Sequence, residues 1–143
     1  MNKLDISRAK AILSEGFTFV GVCGDEIKTS NERGVRPLLS LLDSGVSLED
    51  FSCADKVVGK GAAHLYVLLK VKHLYADVIS TPALDLLIKN NVSIEYGTLC
   101  DEIKNRTKTG RCPIETTTLD IDDSTCALDI IRSTLDNLSK NNT

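Results

Sequence analysis

The chain has 143 residues, of which 42% are hydrophobic and 26% charged, and its formal net charge is −3. That supplies apolar material for the core of one domain of ordinary size, while the slight acidity gives no overall attraction to nucleic acid or an anionic membrane. Met1–Ile12 mixes charged and apolar residues, unlike a signal peptide, and no run nears the roughly 18 apolar residues of a membrane span, so a cytoplasmic protein is expected.

Asp5–Glu15 reads as a helix, with Ile6, Ala9, Ile12 and Leu13 on one face and Gly16 as its stop. Phe17–Cys23 is rich in β-formers, and Gly24-Asp25 turns it into a second strand at Glu26–Ser30. After a loop at Arg33-Gly34, Pro37 starts a short apolar helix through Leu42, ended by Gly45. Lys56–Lys70 then reads as the central helix, because Val57, Val58, Gly61, Leu65, Leu68 and Leu69 keep helical spacing. Each glycine inside a helix costs about 1 kcal/mol relative to alanine. Gly59 and Gly61 in one turn therefore point to close packing or to close approach of a ligand.

Val71–Ile79 reads as an apolar strand. Thr81 caps a helix with Pro82 at its first position, running to Lys89. Val92–Tyr96 is a further strand and Thr98–Lys104 a short helix. Asp120, Asp122 and Asp123 lack the glycine and closing glutamate of a calcium loop, so they read as a solvated link capping the last helix. Ser124–Leu138 sets Leu128, Ile131, Leu135 and Leu138 along a narrow seam, suited to docking on its own domain or to a contact between copies of the chain. Strands alternating with helices argue for an α/β fold with a mixed sheet and helices on its faces. A single domain over 1–143 is expected, with a core over 1–118 and a linker and amphipathic helix over 119–143.

Two stretches are candidates for chemistry. Asp55 stands at the expected start of the central helix, where a carboxylate suits the helix dipole, and Lys56, Lys60 and His64 follow at four-residue spacing. Such a stripe is either a solvated face or a seat for a phosphate or carboxylate. The second stretch, Asn105–Glu115, carries Arg106, Lys108 and Arg111 and ends in Cys112-Pro113. Pro113 at a helix start makes Cys112 the N-cap and Glu115 the third helical residue. A thiol placed there beside Arg111 has two influences favouring thiolate, the setting of a nucleophile; the alternative is a cysteine buried under the loop. The other cysteines are Cys23, Cys53, Cys100 and Cys126. The five are odd in number and form no C-x-x-C pair, which argues against a disulfide framework and a structural zinc site.

The strings A-D-K-V-V-G-K at Ala54–Lys60, N-R-T-K-T-G-R-C-P-I-E at Asn105–Glu115 and R-G-V-R-P-L-L at Arg33–Leu39 resemble an uncharacterised prokaryotic family, domain of unknown function 1893. The resemblance runs from Ala9 to Glu115, about three quarters of the chain. It implies a cytidine-deaminase-like fold: a helix, a β-hairpin, then strand–helix units in a three-layer α/β/α sandwich. A zinc deaminase of that fold needs H-x-E or C-x-E at the central helix and P-C-x-x-C at the next. This chain has Cys53-Ala54-Asp55 at the first place and Ser80-Thr81-Pro82-Ala83-Leu84-Asp85, without cysteine, at the second. Two of three zinc ligands are missing, so no metal and no cofactor are expected.

The fold so implied would bring Asp55, Ser80 and Thr81 to one cleft, with Cys112, Arg106 and Arg111 reaching it by a loop and Arg33 at its rim. The expected ligand is a small anionic or nucleotide-like molecule, held by Arg33, Lys56, Lys60, Ser80, Thr81, Arg106 and Arg111. If the site is catalytic, Cys112 is its nucleophile and Asp55 its acid–base residue. The alternatives are a non-catalytic ligand-binding or regulatory domain, and a thiol redox sensor in which Cys53 resolves Cys112. Neither a membrane nor a specific nucleic acid is an expected partner.

Overall fold

The computed structural model describes residues 3–104, 110 and 112–141. Along them run α1 (Lys3–Leu13), β1 (Phe19–Cys23), β2 (Glu26–Ser30), α2 (Arg36–Asp43), β3 (Ser52–Val58), α3 (Lys60–Leu68), β4 (His73–Ser80), α4 (Thr81–Lys89), β5 (Ser93–Cys100), α5 (Pro113–Thr118) and α6 (Ser124–Asn141). The strands form one mixed sheet in the order β2-β1-β3-β4-β5. β1 pairs antiparallel with both β2 and β3, while β3, β4 and β5 are mutually parallel. Helices α3 and α4 make the crossovers between the parallel strands, so their N-termini sit together at the C-terminal ends of β3 and β4.

Three layers result. On one face, Ala9 and Leu13 of α1 pack on Val20, Val22 and Ala54. On the other, Leu38 of α2, Leu65 and Leu69 from α3 and its C-cap, and Leu87 of α4 close a larger core over Cys53, Leu74 and Ile79. α5 and α6 pack against α3, and Ala127 and Ile131 of α6 are fully buried in that same core. The apolar seam of the last helix thus docks on its own chain, through Ile131, Leu128 and Leu135.

The hairpin, the second helix, β4 and α4 follow the sequence expectation, with β2 matching it residue for residue and α4 starting one residue earlier. The central helix does not begin at Lys56. Ser52–Val58 is instead the middle strand of the sheet, and Gly59, extended at φ −94° and ψ 179°, separates it from α3. Ser52, Cys53, Ala54 and Asp55 are all buried, since β3 has a strand on either side and helices on both faces. A strand covered on both faces shows no alternation of apolar and polar residues, and helical spacing carried on from α3 concealed it. A second correction concerns Thr98–Lys104: pairing with β4 carries β5 on to Cys100, where Cys100 lies opposite Ser80, in place of the expected helix.

Candidate functional site

α4 begins directly where β4 ends. Its N-cap is Ser80, not Thr81, and the Ser80 hydroxyl accepts the Ala83 N–H at 3.3 Å. α3 has no side-chain cap of its own at Gly59. Its first N–H, that of Lys60, donates instead to Oε2 of Glu115 at 2.9 Å. The Ser80 hydroxyl donates to the same oxygen at 2.5 Å, and the Ile103 N–H donates to Oε1 at 2.7 Å. Glu115 is 1% exposed. A carboxylate is tolerated at that depth because three donors take it up beside the positive ends of two helices.

The two glycines that open α3 make room for this contact. A Cβ on Gly61 would overlap Cγ2 of Ile114, and one on Gly59 would lie 3.1 Å from both Oε2 of Glu115 and Cγ1 of Ile103. Close packing, here of α5, is therefore the reason for the pair. α5 starts as expected, with Cys112 at the N-cap and Pro113 in the first turn. Cys112 is half-buried, and its N–H donates to the Ile103 carbonyl at 2.6 Å.

Lys60 and His64, one turn apart on α3, hold the link into α6. Nζ of Lys60 donates to the Leu119 carbonyl at 2.5 Å and reaches Oδ1 of Asp122 at 3.5 Å. His64, fully buried, places Nε2 2.8 Å from the Ile121 carbonyl and Nδ1 2.9 Å from the Ser124 hydroxyl. A carbonyl only accepts, so the neutral ring carries its proton on Nε2 and Nδ1 accepts from Ser124. Burial, more than the neighbouring Lys60 charge, holds the imidazole below its usual pKa. Lys60 and His64 are consequently not a solvated stripe, and Lys56 does not share one with them: it lies exposed on β3.

Beside the Glu115 contact, Lys60, Thr81, Pro82, Asp85, Leu86, Lys89, Asp101, Leu119 and Asp122 line an open groove of about 520 Å³. Thr81 closes one wall by donating its hydroxyl to the Cys100 carbonyl at 3.3 Å. Lys89 and Lys60 offer donors there, and the lone pairs of Thr81 with Asp85, Asp101 and Asp122 offer acceptors.

Of the residues expected at one cleft, Lys60 and Thr81 line this groove, and Ser80 lies fully buried behind it on Glu115. Asp55 does not reach it. Its carboxylate lies within the sheet, accepting the Tyr66 hydroxyl at 2.6 Å and the Val57 N–H at 3.3 Å, and burial pushes its pKa up to about 7. The reason is its place in β3, which leaves it under α3 instead of at the helix end. Lys56 is not among the lining residues. Arg33 sits exposed in the loop after β2, the edge strand farthest from β5, and so is not at the rim. Arg106 and Arg111 lie outside the described residues. No hydrogen bond or ion pair joins Asp55 to Cys112 among the described residues, and Cys53, proposed as a resolving thiol, is fully buried with its pKa pushed up by burial.

Sequence reasoning missed the role of Glu115. The third helical position ordinarily reaches back to its own N-cap, and here it caps a different helix. His64 gave no signal beyond its spacing from Lys60, since Ser124 and Ile121 are distant in sequence.

No group of three or more His, Cys, Asp or Glu side chains among the described residues is placed to hold a metal ion. No helix among them is long and apolar enough to cross a membrane. No curated protein matches the chain. A solved structure, that of a DUF1893 family protein from Thermotoga maritima, matches with a TM-score of 0.83 at 29% identity, over 96% of this chain and 92% of that one. The family model described as "Domain of unknown function (DUF1893)" matches residues 7–135. With nine-tenths of its length under that model and the same architecture in that relative, the chain belongs to the DUF1893 family.

Proposed function

We propose that this protein binds a small, polar, nucleotide-like or otherwise anionic molecule in the groove between α4 and the 119–122 link, without zinc. The observation that carries the reading is the groove itself. It opens at the C-terminal ends of parallel strands, where open α/β sheets take their ligands, and its volume lies in the range of small-molecule sites. Donors from Lys60 and Lys89, with acceptors from Thr81, Asp85, Asp101 and Asp122, suit a ligand with both amino and carbonyl or phosphate edges.

A hollow of about 480 Å³ at the opposite end of the sheet, lined by Lys70, Lys72, Asn90 and Asn91 among others, is the weaker candidate. There α3 and α4 terminate, and helix C-termini disfavour anions.

The order of a helix, a hairpin and then strand–helix units supports a cytidine-deaminase-like scaffold. Its chemistry is not retained on this reading: Cys53 is sealed in the core, Asp55 is held by Tyr66, and the α4 N-terminus carries Ser80 bound to Glu115. A ligand-binding or regulatory role therefore ranks above catalysis by Cys112 and Asp55.

The test is a thermal-shift screen against nucleosides, nucleotides and sugar phosphates, since a ligand that binds only the folded state must raise stability. At least one compound raises the melting temperature, and D101N with T81A diminishes the rise. A flat response across the whole panel contradicts the reading, and stoichiometric zinc in purified protein by elemental analysis contradicts its metal-free part.

A further inference from the structure

β5 is an outer strand of the sheet and runs for eight residues, Ser93–Cys100. The Ser93 N–H donates to the Lys72 carbonyl at 2.8 Å, so alternate residues from Ser93 turn their backbone groups toward β4, and those of Ile94 and Tyr96 turn outward. Among the described residues no second strand takes them up. Outer strands of this length are ordinarily blunted by lysine or proline. Ser93–Cys100 contains no lysine, arginine or proline. Its single charge, Glu95, is held on the α1 face, where Nζ of Lys10 lies 3.6 Å away.

Apolar side chains flank this bare edge. Tyr96 is 43% exposed and Leu99 44%, and on α4, which packs on the strand, Ile88 is 57% exposed one turn beyond Leu84. These are three of the five large apolar side chains left exposed among the described residues, so the uncovered apolar surface gathers here. Ile94 and Tyr96 stand opposite Leu74 and Ala76 of the larger core, and thus carry that core out to the edge on the α4 face.

We infer that this edge is a homodimer contact, in which β5 of a second copy pairs antiparallel with it about a twofold axis at Tyr96 and the two sheets become one. The strand is its own complement in that register. Tyr96 meets its symmetry mate as a hydrogen-bonded pair, using the N–H and C=O that turn outward, with one ring beside the other. Ile94 falls opposite Thr98, and Glu95 opposite Gly97. No two carboxylates therefore face each other directly, and each Glu95 keeps its own Lys10. A twofold axis doubles whatever lies on it. Here it doubles an uncharged aromatic residue with free hydrogen-bonding groups, and so builds in no repulsion.

None of these residues lines the groove, so the contact and the ligand reading stand or fall separately. The test is light scattering on the full chain over a range of concentrations, together with hydrogen exchange at single amides. Wild type should reach twice the chain's 15.5 kDa as concentration rises, and exchange at the Ile94 and Tyr96 amides should slow in step. Y96K sets two ammonium groups across the axis and should return the mass to that of one chain, with fast exchange at Ile94 and an unchanged circular dichroism spectrum. A wild type that stays at one chain's mass throughout overturns the contact, including the case in which some other extended segment is the natural partner of the edge. A dimer that Y96K leaves intact, or one in which Ile94 and Tyr96 exchange as fast as in dilute protein, overturns it as well. Should Y96K fail to fold, the concentration dependence of exchange in wild type decides alone.

Discussion

The hydroxyl of Tyr66, in the last turn of α3, donates a 2.6 Å hydrogen bond to Oδ2 of Asp55, in the middle strand of the sheet, and both residues are buried. Asp77 of β4 is the neighbouring charged group that acts on Asp55, and it is an anion that adds to the upward push of burial. With burial raising the Asp55 pKa from 3.8 to about 7, the folded state binds the proton more tightly than the unfolded chain. Stability from this group is therefore complete below pH 3.8 and is lost as pH rises through about 7. The whole interval is worth roughly 4 kcal/mol. Urea unfolding of wild type between pH 4 and pH 8 should show this loss, and D55N should remove most of its slope. An unchanged slope in D55N would show that another group is responsible.

His64 contributes in the opposite direction. Its folded pKa lies below 6.5, so the unfolded chain takes up the proton first and stability falls as pH drops below 6.5. Ser124→Ala removes one hydrogen bond to the ring and should cost about 0.5–1.5 kcal/mol at pH 7. Hydrogen exchange should also quicken at residues 119–124, which Lys60 and His64 hold to α3. Unchanged exchange there would mean that the apolar contacts of α6 alone fix the link.

Gly61→Ala sets a methyl group against Ile114, and the overlap should cost about 1–3 kcal/mol in chemical denaturation. I114A in the same chain should recover part of that loss, because the two side chains compete for one space. Additive losses in the double variant would count against direct packing of α5 on α3.

Thiol labelling should follow exposure. Cys126, exposed on α6, reacts first; Cys23, Cys100 and Cys112 are half-buried and react more slowly; Cys53 reacts only on unfolding. Peptide-resolved alkylation reads this order. Early labelling of Cys53 would show that β3 opens locally and would revive its pairing with Cys112.

How much of this was legible in the sequence depended on whether the signal was local. Pro82 and Pro113 mark helix starts through their own fixed φ, and Gly24-Asp25 marks the hairpin, so α4, α5 and β2 read correctly. β3 was lost because burial on both faces erases alternation, and that error moved Asp55 from a helix end into the sheet. The short spacing between Lys56, Lys60 and His64 then suggested a cationic stripe. In fact Lys60 and His64 point at partners about sixty residues away, which no local pattern encodes. The Glu115 contact is of the same kind: its residue types were visible, and their meeting was a property of the topology alone.

The central claim is that the groove beside α4 holds the ligand, and amide chemical-shift mapping tests it most directly. The nucleotide giving the largest thermal shift would be titrated into labelled protein. Changes concentrated at Lys60, Thr81, Asp85, Lys89, Asp101, Leu119 and Asp122 are the predicted result. Changes concentrated instead at Lys70, Lys72, Asn90 and Asn91, at the other end of the sheet, would contradict it.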